Sequence, residues 1–77
     1  MQSCTRKVPL DCVQWDGGFD SGQEIIALMG EVGTNELPNP FLVGKHEMTA
    51  TDWAVKEEGI VTAYGNVDFT TAFIVIP

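Results

Sequence analysis

The chain has 77 residues, enough for one small domain over residues 1–77, and a chain this short hides only about 60% of the surface its unfolded form exposes. Eleven acidic residues against four basic ones give a net charge of −7. Such a surface repels phosphate backbones and excludes direct nucleic-acid binding, and no apolar run approaches the roughly 20 residues of a membrane helix.

The N-terminal stretch reads as one extended segment. Val8, Leu10 and Cys12 alternate with Pro9, Asp11 and Val13, which predicts a strand up to Trp15 with one face buried. Pro9 has no N–H to give to a ladder, so the strand should begin there or lie on an edge. On one such segment Cys4 and Cys12 would stand about 26 Å apart, too far to bridge, and two reduced thiols are expected. Arg6 and Lys7 are followed by Asp11, Gln14 and Asp16, which does not fit a secretory signal.

Asp16-Gly17-Gly18 breaks the strand, and Ser21-Gly22-Gln23-Glu24 fits a capping box. A helix from Ser21 to Met29 should follow, with Ile25, Leu28 and Met29 on one stripe and Gly30 at its end. Two and a half turns cannot stand alone, so this helix must pack on a sheet. Residues 31–40 hold Gly33, Pro38 and Pro40 without apolar periodicity and are predicted to be an exposed loop.

Phe41 to Val43 and His46 to Ala50 are short strand candidates. Trp53 to Lys56 and Ile60 to Tyr64 form a predicted hairpin around Glu57-Glu58-Gly59, with Gly65-Asn66 turning the chain again. Thr71 to Ile76 is the most β-prone segment and has to be paired, in the same chain or with a second copy. Asp68 could instead cap one helical turn that brings Phe69 near Phe73. The sum is an α+β fold: a small, strongly bent antiparallel sheet that could curve towards a barrel, with one short helix packed on it. A core of this size rarely supplies more than roughly 3–5 kcal/mol, so a homo-oligomer is expected.

Arg6, Lys7 and Pro9, then Val13-Gln14-Trp15 and Gly17, the Ser21 to Met29 helix, and Asp52-Trp53-x-Val55-Lys56 with Gly59, Phe69 and Phe73 form a recognisable outline. It resembles a family of small bacteriophage proteins of unassigned function. Members open with a basic, proline-containing strand ending in Val-Gln-Trp and close with a Pro-Gly-Asp-Trp-Ile-Ile-Lys segment, a Gly turn, a strand and an aromatic-containing stretch. Thr51 stands where that pattern has Gly, which argues against a tight turn before Asp52. The spacing from Pro9 to Trp15 is shorter than usual, and the tail is more apolar. The resemblance implies a phage-encoded accessory protein acting in the infected cell and supplies no catalytic residues.

The chemical inventory points the same way. His46 is the single imidazole. A Cys12–His46 nucleophile pair is conceivable, but Cys12 shares its alternating face with Val8 and Leu10, which suits a buried, inert thiol. Two Cys and one His lack zinc-site spacing. The run from Asp16 to Ser21 only imitates a calcium loop, since Gly18 and Ala27 occupy ligand positions. Gly44-Lys45 is followed by His and preceded by Asn39 where a phosphate loop needs Gly. No catalytic residue, metal or cofactor is therefore expected.

Trp15 and Trp53 are expected to be core anchors, each needing one partner for its indole N–H. In the competing reading one of them, with Tyr64, stacks on a ligand ring while Lys45 and His46 supply charge. The carboxylates sit singly or in one pair, which suits a solvated acidic surface better than an imitation of nucleic-acid phosphates. The leading expectation is a non-enzymatic phage accessory protein, located in the host cytoplasm, that binds and modulates a host or anti-phage defence protein. The alternative is an oligomeric sponge holding a nucleotide-derived immune signal between subunits, with Lys45, His46 and Tyr64 as its ligand-binding residues. A minor virion component is a third reading.

Overall fold

The structure is a computed structural model that describes residues 2–76. In chain order it contains β1 (Gln2–Thr5), β2 (Pro9–Gln14), α1 (Phe19–Leu28), β3 (Leu42–Val43), β4 (His46–Glu47), β5 (Trp53–Glu57), β6 (Ile60–Tyr64), α2 (Asn66–Ala72) and β7 (Ile74–Ile76). Five strands form one sheet in the order β6-β5-β2-β1-β7, every neighbour antiparallel, and β3 and β4 form a separate two-stranded hairpin. The fold is α+β, as the sequence predicts, and the sheet stays open, with β6 and β7 as its edges.

Strand alternation divides the apolar residues between two layers. One face carries Cys4, Cys12, Trp53 and Val55 beneath Phe69 and Phe73, with Leu10 and Tyr64 at the margin. The other carries Val13 and Ala54 beneath Ile25, Ile26 and Leu28 of α1, together with Phe41, Val43 and Met48. Sheet centre residues are thus buried from both sides, because α1 with the β3–β4 hairpin covers one face and α2 covers the other. Helix α2 leaves the β6 edge and delivers the chain to β7 at the opposite edge.

Tight turns follow local chemistry. Glu57 pairs with Ile60 across a two-residue loop in which Glu58 (φ 53°) and Gly59 (φ 80°) both have positive φ, the signature of a type I′ hairpin turn. Val43 pairs with His46, and Gly44 at φ 62° opens that loop.

Several expectations need correction. The N-terminal extended segment is two strands: β1 and β2 pair as a hairpin through Arg6-Lys7-Val8, with Thr5 opposite Pro9. Period-two alternation does not reveal a turn that lacks glycine. Pro9 does begin its strand, but β2 lies in the middle of the sheet, and both Cys12 and Val13 are buried instead of one face alone. The capping box does not form, since α1 starts at Phe19 with Gly18 as N-cap and no side-chain cap bond. Ser21 lies inside the helix and donates to Asp16 Oδ1 at 2.7 Å. A second helix joins α1 on the sheet: the helical alternative around Asp68 is the one that forms, as α2, with Phe69 stacked near Phe73, and it takes up Thr71 and Ala72 and leaves only Ile74–Ile76 as the last strand. The strand expected over His46 to Ala50 is confined to His46–Glu47.

Candidate functional site

The densest polar constellation gathers on Asp52, which is 7% exposed. Its Oδ2 accepts three hydrogen bonds, from the Thr49 N–H at 2.9 Å, the Thr49 hydroxyl at 3.0 Å and His46 Nε2 at 2.8 Å. Burial alone would raise this carboxyl, and the bonds from His46 and Thr49 more than offset it, holding Asp52 below the ordinary carboxylate range. The backbone of the same residue carries structure as well. Asp52 N–H closes a turn onto the Thr49 carbonyl at 3.0 Å, and its own carbonyl accepts from the Trp15 N–H at 2.8 Å. Asp52 therefore ties the β3–β4 hairpin, through His46, to the end of β2.

The turn over Thr49 to Asp52 has Thr51 at φ 79°, the value of the third position in a type II turn, where glycine is favoured. The tight turn that Thr51 argued against is present after all. Its exit is fixed by two bonds, Thr51 N–H to the Trp15 carbonyl at 2.8 Å and Gln14 Nε2 to the Thr51 carbonyl at 3.1 Å. These cross-links hold a β-branched residue in a conformation it does not prefer.

On the opposite face four groups stack in sequence. Trp53 and Phe69 lie 3.9 Å apart with 5° between their planes, and Phe69 and Phe73 lie 5.0 Å apart at 14°. The Arg6 guanidinium sits 4.6 Å from the Phe73 ring centre and donates to the Tyr64 hydroxyl at 3.2 Å. Both indoles are satisfied: Trp15 Nε1 donates to the Gly18 carbonyl at 2.9 Å, and Trp53 Nε1 to Asn66 Oδ1 at 3.0 Å. Trp15 also meets Phe41 edge-on at 5.1 Å. Both tryptophans thus anchor the fold.

No family model, curated protein or solved structure matches the chain. The geometry is therefore the guide to chemistry. Lys45 and His46 lie on the β3–β4 hairpin, whose Val43 packs on the α1 side of the sheet, whereas Tyr64 packs against Phe73 on the α2 side. The three candidate ligand-binding residues are thus split between the sheet's two layers. Among the described residues no pocket opens between them. His46 is oriented by a buried carboxylate and its side chain is 43% exposed. With Asp52 ionised, the contact fixes Nε2 as the protonated nitrogen of His46.

Cys4 and Cys12 are both fully buried and unbridged. They project from neighbouring strands on one face as diagonal partners, Cys4 opposite Leu10 and Cys12 opposite Gln2, so the 26 Å expectation fails with the single-strand reading. Burial pushes both thiols up; the thiol–thiol hydrogen bond adds to the rise at Cys12 and tempers it at Cys4. Groups so placed are weak nucleophiles.

Residues 31–40 form an ordered, exposed loop. Gln23 clamps it at Thr34, with Oε1 accepting the Thr34 N–H at 3.0 Å and Nε2 donating to the hydroxyl at 3.3 Å. The Thr34 hydroxyl also donates to the Glu36 carbonyl, and Leu37 packs into the core layer under α1. Val32 is held out into solvent, 89% exposed. From Val8 to Gly44 the sequence has six acidic residues and no Lys or Arg, so α1 and the 31–40 loop carry acidic side chains and no basic ones. No helix among the described residues is long and apolar enough to cross a membrane.

Sequence reading counted Arg6 and Asp52 in the family outline and Thr49 in a strand, but gave none of the three a contact. The Thr-x-x-Asp spacing was the available signal for Thr49 and Asp52, since a carboxylate three residues after a Thr can fold back onto its N–H and hydroxyl. Arg6 carried no comparable signal, because its partners Tyr64 and Phe73 are distant in sequence.

Proposed function

We propose that this is a non-enzymatic bacteriophage accessory protein, acting in the host cytoplasm, that binds and modulates a host or anti-phage defence protein. The 31–40 loop and the acidic side of α1 form its contact surface. One observation carries this reading: the Gln23–Thr34 clamp and the seated Leu37 spend local interactions on holding an exposed loop in one shape, with Val32 at its surface. A loop already ordered pays little entropy when it docks. Its partner is a protein with a basic surface, because the loop contributes Glu31 and Glu36 beside Asp20 and Glu24 with no basic residue between, and complementary charge speeds encounter and sets orientation.

Affinity capture from infected host lysate tests the proposal. The wild-type chain should retain one protein at a stoichiometric level, released by raised salt, and a Glu31→Lys/Glu36→Lys variant should lose it. Recovery of no such protein, or unchanged recovery by the variant, overturns the reading. Native mass spectrometry of the same eluate shows whether a nucleotide-derived small molecule is retained in its place, as the sponge alternative requires.

A further inference from the structure

We propose that β7 is the seam of a twofold dimer, in which the β7 strands of two copies pair antiparallel and join their sheets into one of ten strands. The strand is an edge, bonded to β1 alone. Ile74 is 71% exposed, and Val75 and Ile76 are 38% and 36% exposed. Natural edges are usually guarded by a charge, a bulge or a covering element. The other edge, β6, has β3 packed beside it and begins just after Glu57 and Glu58. Among the described residues nothing comparable guards Ile74–Ile76, and the adjoining β1 residues, Gln2 to Thr5, are uncharged as well.

Charge selects a second copy as the occupant. A chain of net charge −7 repels itself wherever carboxylates meet, and β7 with β1 is a part of its sheet that carries none. Antiparallel pairing about an axis through Val75 sets Ile74 opposite Ile76 of the other copy. It also brings the Arg6–Lys7 turn, which follows Thr5 at the Ile74 end, towards the end where Asp11 lies across β1 beyond Ser3. No carboxylate of β1 or β7 meets another across the seam. Side chains of Ile74 and Ile76 share the face of Ser3 and Thr5, so four isoleucines would shield one another along the joint. Three residues a side is a small seam, well below the size of standard protein–protein interfaces, and the dimer dissociates on dilution.

Sedimentation of the full chain over about a hundredfold range of concentration tests this. The expected mass rises towards twice the 8.4 kDa of one chain. Ile74→Lys and Ile76→Glu, at residues 71% and 36% exposed, should stay folded by circular dichroism and remain monomeric. The combined Ile74→Lys/Ile76→Glu variant should recover the dimer, because the twofold register puts each Lys opposite a Glu. A wild-type chain that stays monomeric overturns the proposal. So does a dimer that survives either folded single variant, or a double variant that fails to re-associate. These substitutions leave the 31–40 loop intact, so loss of the seam and loss of the loop's partner are read separately.

Discussion

Leu37 closes directly onto Gly22: a Cβ at that glycine would fall 2.5 and 2.6 Å from the two Leu37 methyl carbons. The contact is the hydrophobic half of the loop's attachment to α1, and the Gln23–Thr34 bonds are the polar half. A glycine inside a helix costs about 1 kcal/mol relative to alanine, so its presence here is explained by the approach of Leu37. Gly22→Ala should therefore leave global stability within about 1 kcal/mol, helix propensity offsetting the lost seating of a half-buried leucine. Its effect belongs to the loop. Hydrogen exchange at the Thr34 amide should quicken about tenfold as Leu37 is displaced, and capture of the loop's protein partner should weaken. Unchanged exchange at Thr34 would show that the loop does not depend on this contact.

Thr51 offers a stabilising substitution. Its φ of 79° is one that a β-branched residue adopts at a cost of about 1–3 kcal/mol. The side chain is exposed, so little packing is lost on removing it. Thr51→Gly should raise stability by about 1 kcal/mol, a Tm increase of roughly 4–8 °C for a domain of this size, after glycine's greater freedom in the unfolded chain is discounted. A denaturation curve showing no gain would mean that the Trp15 and Gln14 bonds hold the turn without strain.

How far these features were legible depends on whether their signal is local. The β5–β6 hairpin was readable because Glu58-Gly59 lies between two apolar runs of matching period, and α1 because Ile25, Leu28 and Met29 mark one stripe. Its start was misread because Ser21 and Glu24 have capping-box spacing, while the Asp16 carboxylate takes Ser21's hydroxyl and the Gly18 N–H. Nothing near Val8 announces that β1 turns back on β2, since Arg6-Lys7-Val8 contains no turn-forming residue. The Asp52 centre joins residues close in sequence, yet its burial depends on the β3–β4 hairpin folding over it. Arg6 meets Tyr64 from 58 residues away, a relation set by strand order alone.

Asp52 should make the protein acid-sensitive. Its carboxyl is held below the ordinary range in the folded state, so its contribution is complete above the unfolded pKa of about 3.9 and is lost as pH falls through the lower folded value. Asp52→Asn should cost about 2 kcal/mol at neutral pH, the scale of a buried carboxylate's charge-assisted bonds. The gap between variant and wild type should narrow as the medium becomes acidic. His46→Ala removes one of the three bonds and should cost about 1 kcal/mol. Urea denaturation across the acid range measures both. A pH-independent gap would show that Asp52 does not act through its charge.

Cys4 and Cys12 should behave as core atoms, not as reagents. Both are fully buried with thiols pushed upward by burial, and only a thiolate attacks a disulfide or an alkylating agent. Labelling of the native chain at neutral pH should therefore proceed through global opening, with a rate that climbs with urea in parallel with unfolding. The same burial sets an alkaline limit. Their folded pKa values lie above the unfolded ones, so the stability tied to neutral thiols is intact below the ordinary thiol range and is lost as pH rises beyond it. Cys12→Ala should flatten that alkaline fall while costing stability at neutral pH through the cavity it leaves. Rapid stoichiometric labelling of the folded wild-type chain would place at least one thiol at the surface and overturn this account.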